Sequence, residues 1–143
     1  MSPKLQNKLY KKYPDLFIDR KEPATKSCMC WGCDVGDGWF TLLNILCQSI
    51  ADHVETLDKK KKMPSVKFLQ VKEKFSLLRI YVENGDEIVN NMVNFAETMS
   101  GHICETCGVF GVNVGKTTGG WIKTLCKDCA KKEGKRWKGS WLK

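Results

Sequence analysis

Four cysteines near the carboxyl end of the chain have the spacing of a metal site. Cys104 and Cys107 form one Cys-x-x-Cys pair, Cys126 and Cys129 form a second, and 18 residues separate the pairs. The two-residue gap lets both thiolates of a pair reach one ion, and four thiolates complete the tetrahedral shell of a structural zinc. The pattern therefore predicts a zinc site without an open catalytic position. Iron is the alternative that spacing alone does not exclude.

A second group of cysteines lies nearer the amino end. Cys28, Cys30 and Cys33 fall in one short segment, and Cys47 follows within a helical pattern. Cys47 falls at the edge of an apolar stripe, and free cysteine behaves there as a small hydrophobic residue. We therefore expect reduced core thiols, with a second metal site and redox chemistry as the alternatives.

The segment 66–83 alternates in polarity like two antiparallel strands. In the first strand, Phe68, Lys72 and Lys74 are predicted to share the outward face. In the second strand, Arg79 and Tyr81 are predicted to face outward beside them. Cations next to an aromatic ring suit a phosphate and a base, because guanidinium binds phosphate through a planar fork and the ring provides stacking. A solvated sheet face is the alternative.

The segment "CMCWGCDVGDGWF" (28–40) has the composition of a tight, ordered loop, with three glycines and two tryptophans. Trp31 is not explained by core packing and is a candidate stacking wall for a ligand. Asp37 is a further candidate ligand residue. It is also a predicted N-cap, because its carboxylate can accept the free amides of the helix that follows.

Apolar periodicity predicts the elements that must position these residues. They are a short helix ending before Pro14, a helix over 39–57, the two strands of 66–83, a helix over 84–101, and the hairpin and short helix of a zinc ribbon. Asn84 or Asp86 is expected to cap the helix over 84–101. Its predicted core stripe consists of Ile88, Val89, Met92, Phe95, Ala96 and Met99. The lysine run 59–62 is predicted to be an exposed turn.

The predicted fold class is therefore α+β, with two main helices, a β-hairpin and a C-terminal zinc-ribbon-like module. We expect three parts: an α+β ligand-binding core over 1–101, the zinc-ribbon-like module over 102–133, and a basic tail over 134–143. The tail interleaves basic and aromatic residues, including Arg136, Trp137 and Trp141. Such interleaving is typical of single-strand nucleic-acid binding, and a solubilising tail is the alternative.

Composition limits the classes of function. The 143 residues carry a net charge of +8, concentrated at the two ends of the chain, which favours phosphate-bearing partners. No secretory signal or membrane-length apolar stretch is visible, so we expect a soluble, cytoplasmic protein without a membrane partner. Phosphate-loop, nucleophile-elbow and histidine-based zinc-hydrolase motifs are absent, and the two histidines offer few general bases. These features favour a binding protein over an enzyme.

Four blocks of the chain, "CMCWGCDVGDGW", "VKEKFSLLRIYV", "AETMSGHICETCG" and "GWIKTLCKDC", resemble a widespread family of small phage-encoded proteins. The resemblance covers about residues 8–130. The chain is also similar to phage sponge proteins, which sequester cyclic-nucleotide signals of bacterial antiphage defence without cleaving them. That similarity implies a homo-oligomer in the bacterial cytoplasm. It implies phosphate and base contacts from Lys72, Lys74, Arg79 and Tyr81.

Two other functions remain open from the sequence. A zinc ribbon with basic ends also suits nucleic acid or a host polymerase as the partner. A redox or metal-dependent enzyme would instead use the first cysteine group.

Overall fold

A computed structural model describes residues 1–58 and 65–140, and within these ranges the fold is mixed α+β with four α-helices and two small sheets. The helices are α1 (Pro3–Lys12), α2 (Phe40–Asp58), α3 (Glu87–Ser100) and α4 (Lys127–Lys132). The strands are β1 (Cys33–Asp34), β2 (Lys67–Lys74), β3 (Leu77–Glu83), β4 (Val114–Thr118), β5 (Thr124–Cys126) and β6 (Arg136–Ser140). The predicted helices and strands are thereby confirmed. The lysine run 59–62 lies outside the described residues.

The first sheet is built on the predicted hairpin. β2 pairs with β3 in antiparallel register, and β1 adds in parallel to the other edge of β2. The turn holds Phe75 and Ser76 at φ 55° and 66°, values that match hairpin twist but cost a non-glycine residue about 1–2 kcal/mol. Two hydrogen bonds help to offset this cost. The Ser76 amide donates to Glu73 Oε1 (2.5 Å), and the Ser76 carbonyl accepts from Thr124 Oγ1 (2.6 Å).

The outward face of β2 differs from the prediction at one position. Strict alternation places Phe68 outward with Lys72, but the Phe68 side chain is fully buried. A β-bulge between Phe68 and Gln70 shifts the register of β2 against β3. Because a bulge adds one residue to one strand, Phe68 and Val71 both reach the core although an odd number of positions separates them. The prediction for Phe68 is therefore wrong.

The main core lies among α1, α2, α3 and the first sheet. Its largest fully buried side chains are Trp39, Phe17, Phe68, Leu9, Met29, Leu43, Ile50 and Leu78. Within the described ranges, no helix combines the length and the apolar composition needed to cross a membrane.

The face that α3 presents to this core is rotated from the predicted stripe. Ile88 and Phe95 are 50% and 67% exposed, whereas Val93 and Ser100 are buried. The prediction is therefore wrong for Ile88 and Phe95, although it holds for Val89 and Ala96.

The free edge of β3 explains this rotation. The Leu78 amide donates to Ser100 Oγ and the Ile80 amide donates to Glu97 Oε1, both at 2.9 Å. Unpaired amides of an edge strand need acceptors, so α3 turns its polar residues toward β3. Periodicity along α3 contains no information about this edge.

The first turn of α3 is capped as predicted. Asp86 Oδ1 accepts from the Val89 amide at 2.9 Å, and Asp86 Oδ2 lies 2.7 Å from His53 Nε2 on α2. Asp86, rather than Asn84, is thus the N-cap, and it also joins the two long helices.

The second sheet has the strand order β5-β4-β6. β4 and β5 form the predicted ribbon hairpin, and α4 is the predicted short helix. β6 occupies part of the range predicted as a tail, with Arg136 paired to Thr118. Trp137 Nε1 donates to the Leu125 carbonyl at 3.1 Å, so Trp137 packs on this sheet. Trp141 lies outside the described residues, and the domain boundaries at 101 and 133 stay predictions.

Candidate metal centre

The structure brings the four predicted metal ligands together. The sulfur atoms of Cys104, Cys107, Cys126 and Cys129 all lie within 4.8 Å of one another, and Cys107 Sγ is 3.8 Å from Cys126 Sγ. Zinc–sulfur bonds of about 2.3 Å in a tetrahedron place the sulfurs about 3.8 Å apart. The cluster is therefore compatible with zinc, without specifying it, and is consistent with a zinc-ribbon-like module. Four protein ligands would leave no open position on the ion.

The first cysteine pair lies on a turn closed by backbone hydrogen bonds. The Gly108 amide donates to the Cys104 carbonyl, and the Cys104 amide donates to the Val109 carbonyl, both at 2.8 Å. Gly108 has φ 78°, and a Cβ added there would lie 2.9 Å from the Gly38 carbonyl oxygen. This turn therefore requires glycine directly after the second cysteine of the pair.

The second pair joins a strand to a helix. Cys126 ends β5 and is the N-cap of α4, and its sulfur accepts from the Cys129 amide at 3.4 Å. Cys107 of the first pair is exposed, whereas Cys104, Cys126 and Cys129 are buried. The cluster thus lies at the surface on one side only.

The thiols of the cluster favour a bound cation. Burial raises the pKa of Cys104 and of Cys129, and in Cys129 the neighbouring thiols raise the pKa further. In Cys107 burial also raises the pKa, but the Val109 amide and the other thiols outweigh it, so the pKa is lowered overall. Several thiolates this close need a positive charge among them, which a metal ion supplies.

Close backbone packing joins this module to the loop of residues 28–40. The Gly38 amide donates to the Glu105 carbonyl at 2.8 Å, and the Gly36 amide donates to Glu105 Oε1 at 3.0 Å. A Cβ at Gly36 would lie 2.2 Å from the Glu105 carbonyl oxygen, and one at Gly38 would lie 2.1 Å from the Cys104 carbonyl oxygen. The close approach of the cysteine turn therefore requires glycine at two positions of the predicted ordered loop.

A surface cavity of about 300 Å³, the Trp121 groove, lies where the two sheets meet. Its walls include Lys72, Glu73, Lys74, Phe75, Trp121 and Ile122. Trp121 is 69% exposed, yet its indole Nε1 donates to Glu73 Oε2 at 2.8 Å and its carbonyl accepts from Lys135 Nζ at 3.0 Å. An exposed aromatic ring is thus held in place beside two lysines.

A second cavity of about 310 Å³, the Glu105 cavity, adjoins this groove. Its walls include Asp34, Lys72, Glu73, Glu105, Trp121 and Lys123. Lys72, Glu73 and Trp121 line both cavities, so the two cavities share part of their walls. Sequence reasoning missed Trp121 and Glu105. The "GGW" of the ribbon hairpin was the available signal for Trp121, because a tryptophan in a glycine-rich turn has few neighbouring side chains that could bury it.

The predicted ligand residues of the hairpin have different surroundings. Lys72 and Lys74 line the Trp121 groove, and Arg79 lies directly opposite Lys72 in the β2–β3 register. Arg79 Nη1, however, donates to Glu97 Oε2 at 3.0 Å, which neutralises much of its charge. Tyr81 is 47% exposed on the same strand. Of the four predicted hairpin residues, Lys72 and Lys74 are therefore the two that line a groove together with the exposed Trp121.

Trp31 and Asp37 lie away from the Trp121 groove. Trp31 is 64% exposed and lines a separate cavity of about 350 Å³ with Arg20. Asp37 belongs to a 3-10 turn that precedes α2, and its Oδ1 accepts from the Ser2 amide at 2.5 Å. This hydrogen bond is the main cause that lowers the pKa of Asp37. The predicted capping of α2 by Asp37 is therefore wrong, because its carboxylate accepts a hydrogen bond from the Ser2 amide instead.

Two members of the first cysteine group, Cys33 and Cys47, belong to the main core. Cys33 and Cys47 are buried, and Cys28 and Cys30 are half-buried. Burial raises the pKa of the Cys33 thiol to about 12 and that of Cys47 further. Within the two described ranges, the residues spaced to hold a metal ion are the four cysteines of the carboxyl-terminal module. The expectation of reduced core thiols fits these surroundings.

No protein-family model, curated protein or solved structure matches this chain.

Proposed function

We propose that this protein is a binding protein whose Trp121 groove captures a phosphate-bearing nucleotide without cleaving it. The observation that carries the proposal is an exposed tryptophan, held by two hydrogen bonds, in a groove that Lys72 and Lys74 also line. Base stacking on an aromatic ring is worth about 1–3 kcal/mol. The lysine ammonium groups supply the charge that a phosphate requires.

The metal in this proposal is zinc, held by Cys104, Cys107, Cys126 and Cys129. When bound, zinc cross-links the turn that contains Glu105 to the end of the ribbon hairpin and offers no catalytic position. The groove itself is formed by residues of the chain. Lys72 and Lys74 attract the phosphate, Trp121 stacks on the base, and Glu73 orients the indole through its hydrogen bond.

The ligand class that we propose is a cyclic-nucleotide immune signal, and the role is sequestration in phage counter-defence. Two observations support it: the resemblance of four sequence blocks to phage proteins, and a groove lined by lysine, glutamate, aromatic and apolar side chains. A protein that removes a signal by binding needs affinity and abundance rather than a nucleophile. By the same resemblance, it would act as a homo-oligomer.

Calorimetry with a panel of cyclic di- and trinucleotides tests this function. We expect a dissociation constant well below 100 μM, which corresponds to about −5.5 kcal/mol, and recovery of the intact ligand by mass spectrometry. Lys72→Ala combined with Lys74→Ala should weaken binding at least tenfold. Lys8→Ala, at an exposed position on α1, is the matched control. The absence of binding across the panel would reject the proposal.

Nucleic acid is a second candidate partner because of one basic surface. α4 and β6 expose Lys127, Lys131, Lys132, Arg136 and Lys138. Binding of DNA or RNA there should weaken steeply with salt, because each phosphate contact releases counterions. A fluorescence-anisotropy titration at two salt concentrations separates this candidate from a groove ligand, which Lys72→Ala would affect instead.

A further inference from the structure

One oxygen of the Glu105 carboxylate has no hydrogen-bond partner among the residues that the structure describes. The side chain is 7% exposed, and Oε1 accepts from the Gly36 amide at 3.0 Å, while Oε2 is buried and unpaired. A buried acceptor without a donor is costly, and most native proteins satisfy such groups. A donor from a ligand would satisfy this one.

The Glu105 cavity has the size and composition to accept such a donor. Its volume of about 310 Å³ is at the lower end of the range for small-molecule sites. Glu73, in the same wall, already accepts from Ser76 and Trp121 with its two oxygens. Glu105 lines the cavity as well, and its Oε2 accepts no hydrogen bond from the residues that the structure describes. A group that donates hydrogen bonds suits this position better than a phosphate.

The adjoining groove orients a nucleotide in one direction. Trp121 lines both cavities, so a planar base can stack on the indole while its edge faces Glu105. Lys72 also lines both cavities, and Lys74 lies in the Trp121 groove. In that orientation the phosphate lies toward Lys74, which lines the Trp121 groove alone, and the base edge lies toward Glu105.

We propose that the Glu105 cavity selects guanine, an inference that rests on the proposed nucleotide binding. The Watson–Crick edge of guanine carries the N1–H and N2–H donors side by side, and a carboxylate accepts both through its free lone pairs. Adenine and cytosine present one amino donor beside a ring-nitrogen acceptor, which the carboxylate repels. Uracil presents one donor between two carbonyls. Guanine is thus the base whose edge complements Glu105.

Base discrimination by the zinc-loaded full chain tests the inference. Calorimetric titrations compare cyclic di-GMP, cyclic di-AMP and cyclic di-IMP, in which hypoxanthine lacks the N2 amino group. We expect cyclic di-GMP to bind at least tenfold more tightly than cyclic di-AMP, with cyclic di-IMP between them. Equal affinities would overturn guanine selection and leave the proposed function standing. Absence of binding by these three and by the wider panel would overturn both.

The variant Glu105→Gln tests whether Glu105 is the residue that recognises the base. The carboxamide keeps an oxygen for the Gly36 amide but places a donor where guanine also donates. Affinity for cyclic di-GMP should fall at least tenfold, and affinity for cyclic di-AMP should change less than threefold. Glu22→Gln, in the exposed pair with Lys26, is the control and should change neither.

Full guanine preference in Glu105→Gln would overturn the assignment to this residue. Zinc content and melting temperature establish that the variant is folded. If it does not fold, the discrimination among the three dinucleotides by the unaltered chain still decides whether guanine is selected.

Discussion

The chain contains three Cys-x-x-Cys sequences, and the two of the carboxyl-terminal cluster have different surroundings from the one near the amino end. Cys104 and Cys107 lie on a turn closed by backbone hydrogen bonds, and the second cysteine pair reaches them from β5 and α4. Cys30 lies in a 3-10 segment and Cys33 begins β1, where the Cys33 amide donates to Gln6 Oε1 at 2.9 Å. The same two-residue gap leads to a four-sulfur cluster in one place and to core packing in the other.

The comparison shows that charge balance, as well as spacing, separates the two regions. Thiolates that meet in one cluster need a cation, whereas a buried core thiol such as Cys47 stays protonated because burial, and then the nearby Cys33, raise its pKa. The carboxyl-terminal module should therefore depend on metal, and the amino-terminal core should depend on packing and hydrogen bonds.

Loss of the metal should have the largest effect. Structural zinc contributes about 10–16 kcal/mol in zinc-finger peptides, so we expect Cys126→Ser to lose the metal and unfold the module. Elemental analysis and thermal denaturation measure the two effects. Cys30→Ser is the matched control and should keep one metal per chain. A metal-free Cys30→Ser protein, or full metal in Cys126→Ser, would break the comparison.

Gly38→Ala should have the next largest effect, because it disrupts the contact between the two regions. The added Cβ would lie 2.1 Å from the Cys104 carbonyl oxygen, and forced overpacking of this kind costs about 3 kcal/mol. Chemical denaturation measures the loss. Gly85→Ala is the control, because its new Cβ would lie 3.1 Å from the nearest atom, a Val89 methyl group, which is a much milder approach. Equal stability of the two variants would contradict the docking role of Gly38.

Cys47→Ser should destabilise the core without affecting the metal. The hydroxyl replaces a fully buried thiol, and burial of a polar group without a partner costs about 2 kcal/mol. The free energy of unfolding should fall, while metal content stays at the value of the unaltered protein. Loss of metal in this variant would instead indicate that the first cysteine group holds an ion. Cys28→Ser, at a half-buried position, should have a smaller effect on stability.

Asp86→Ala should have the smallest effect at neutral pH, about 1 kcal/mol for loss of a helix cap. The hydrogen bond from His53 and the Val89 amide lower the pKa of Asp86. A pKa lowered in the folded state stabilises the protein above the unfolded value of about 3.9, and this stability is lost as pH falls through the folded pKa. The difference between the two proteins should therefore shrink below about pH 4.

Urea denaturation of both proteins at pH 7 and at pH 3.5 measures that difference. Acid-induced release of metal affects both proteins and cancels in the comparison. Exposed Asp52→Ala is the control. A difference that stays constant down to pH 3.5 would show that the ionised carboxylate of Asp86 does not stabilise α3.

Local patterns account for the predictions that held. Apolar periodicity located α2, and alternation located the hairpin of β2 and β3, because both depend on residues near one another in sequence. Cap chemistry narrowed the N-cap of α3 to Asn84 or Asp86 in the same way, and the structure has Asp86. The predictions for Phe68 and Phe95 failed because a bulge and the edge of β3 determine which side of each element is buried.

The sequence by itself determined the four candidate cysteine ligands, the helices and strands, and the basic charge of the chain, since residue type and short-range spacing contain that information. Only the tertiary structure brought Trp121 beside Lys72, placed Glu105 in a shared cavity and pressed Gly38 against the cysteine turn. These contacts join residues tens of positions apart. Their geometry depends on how two sheets pack, which no local pattern encodes.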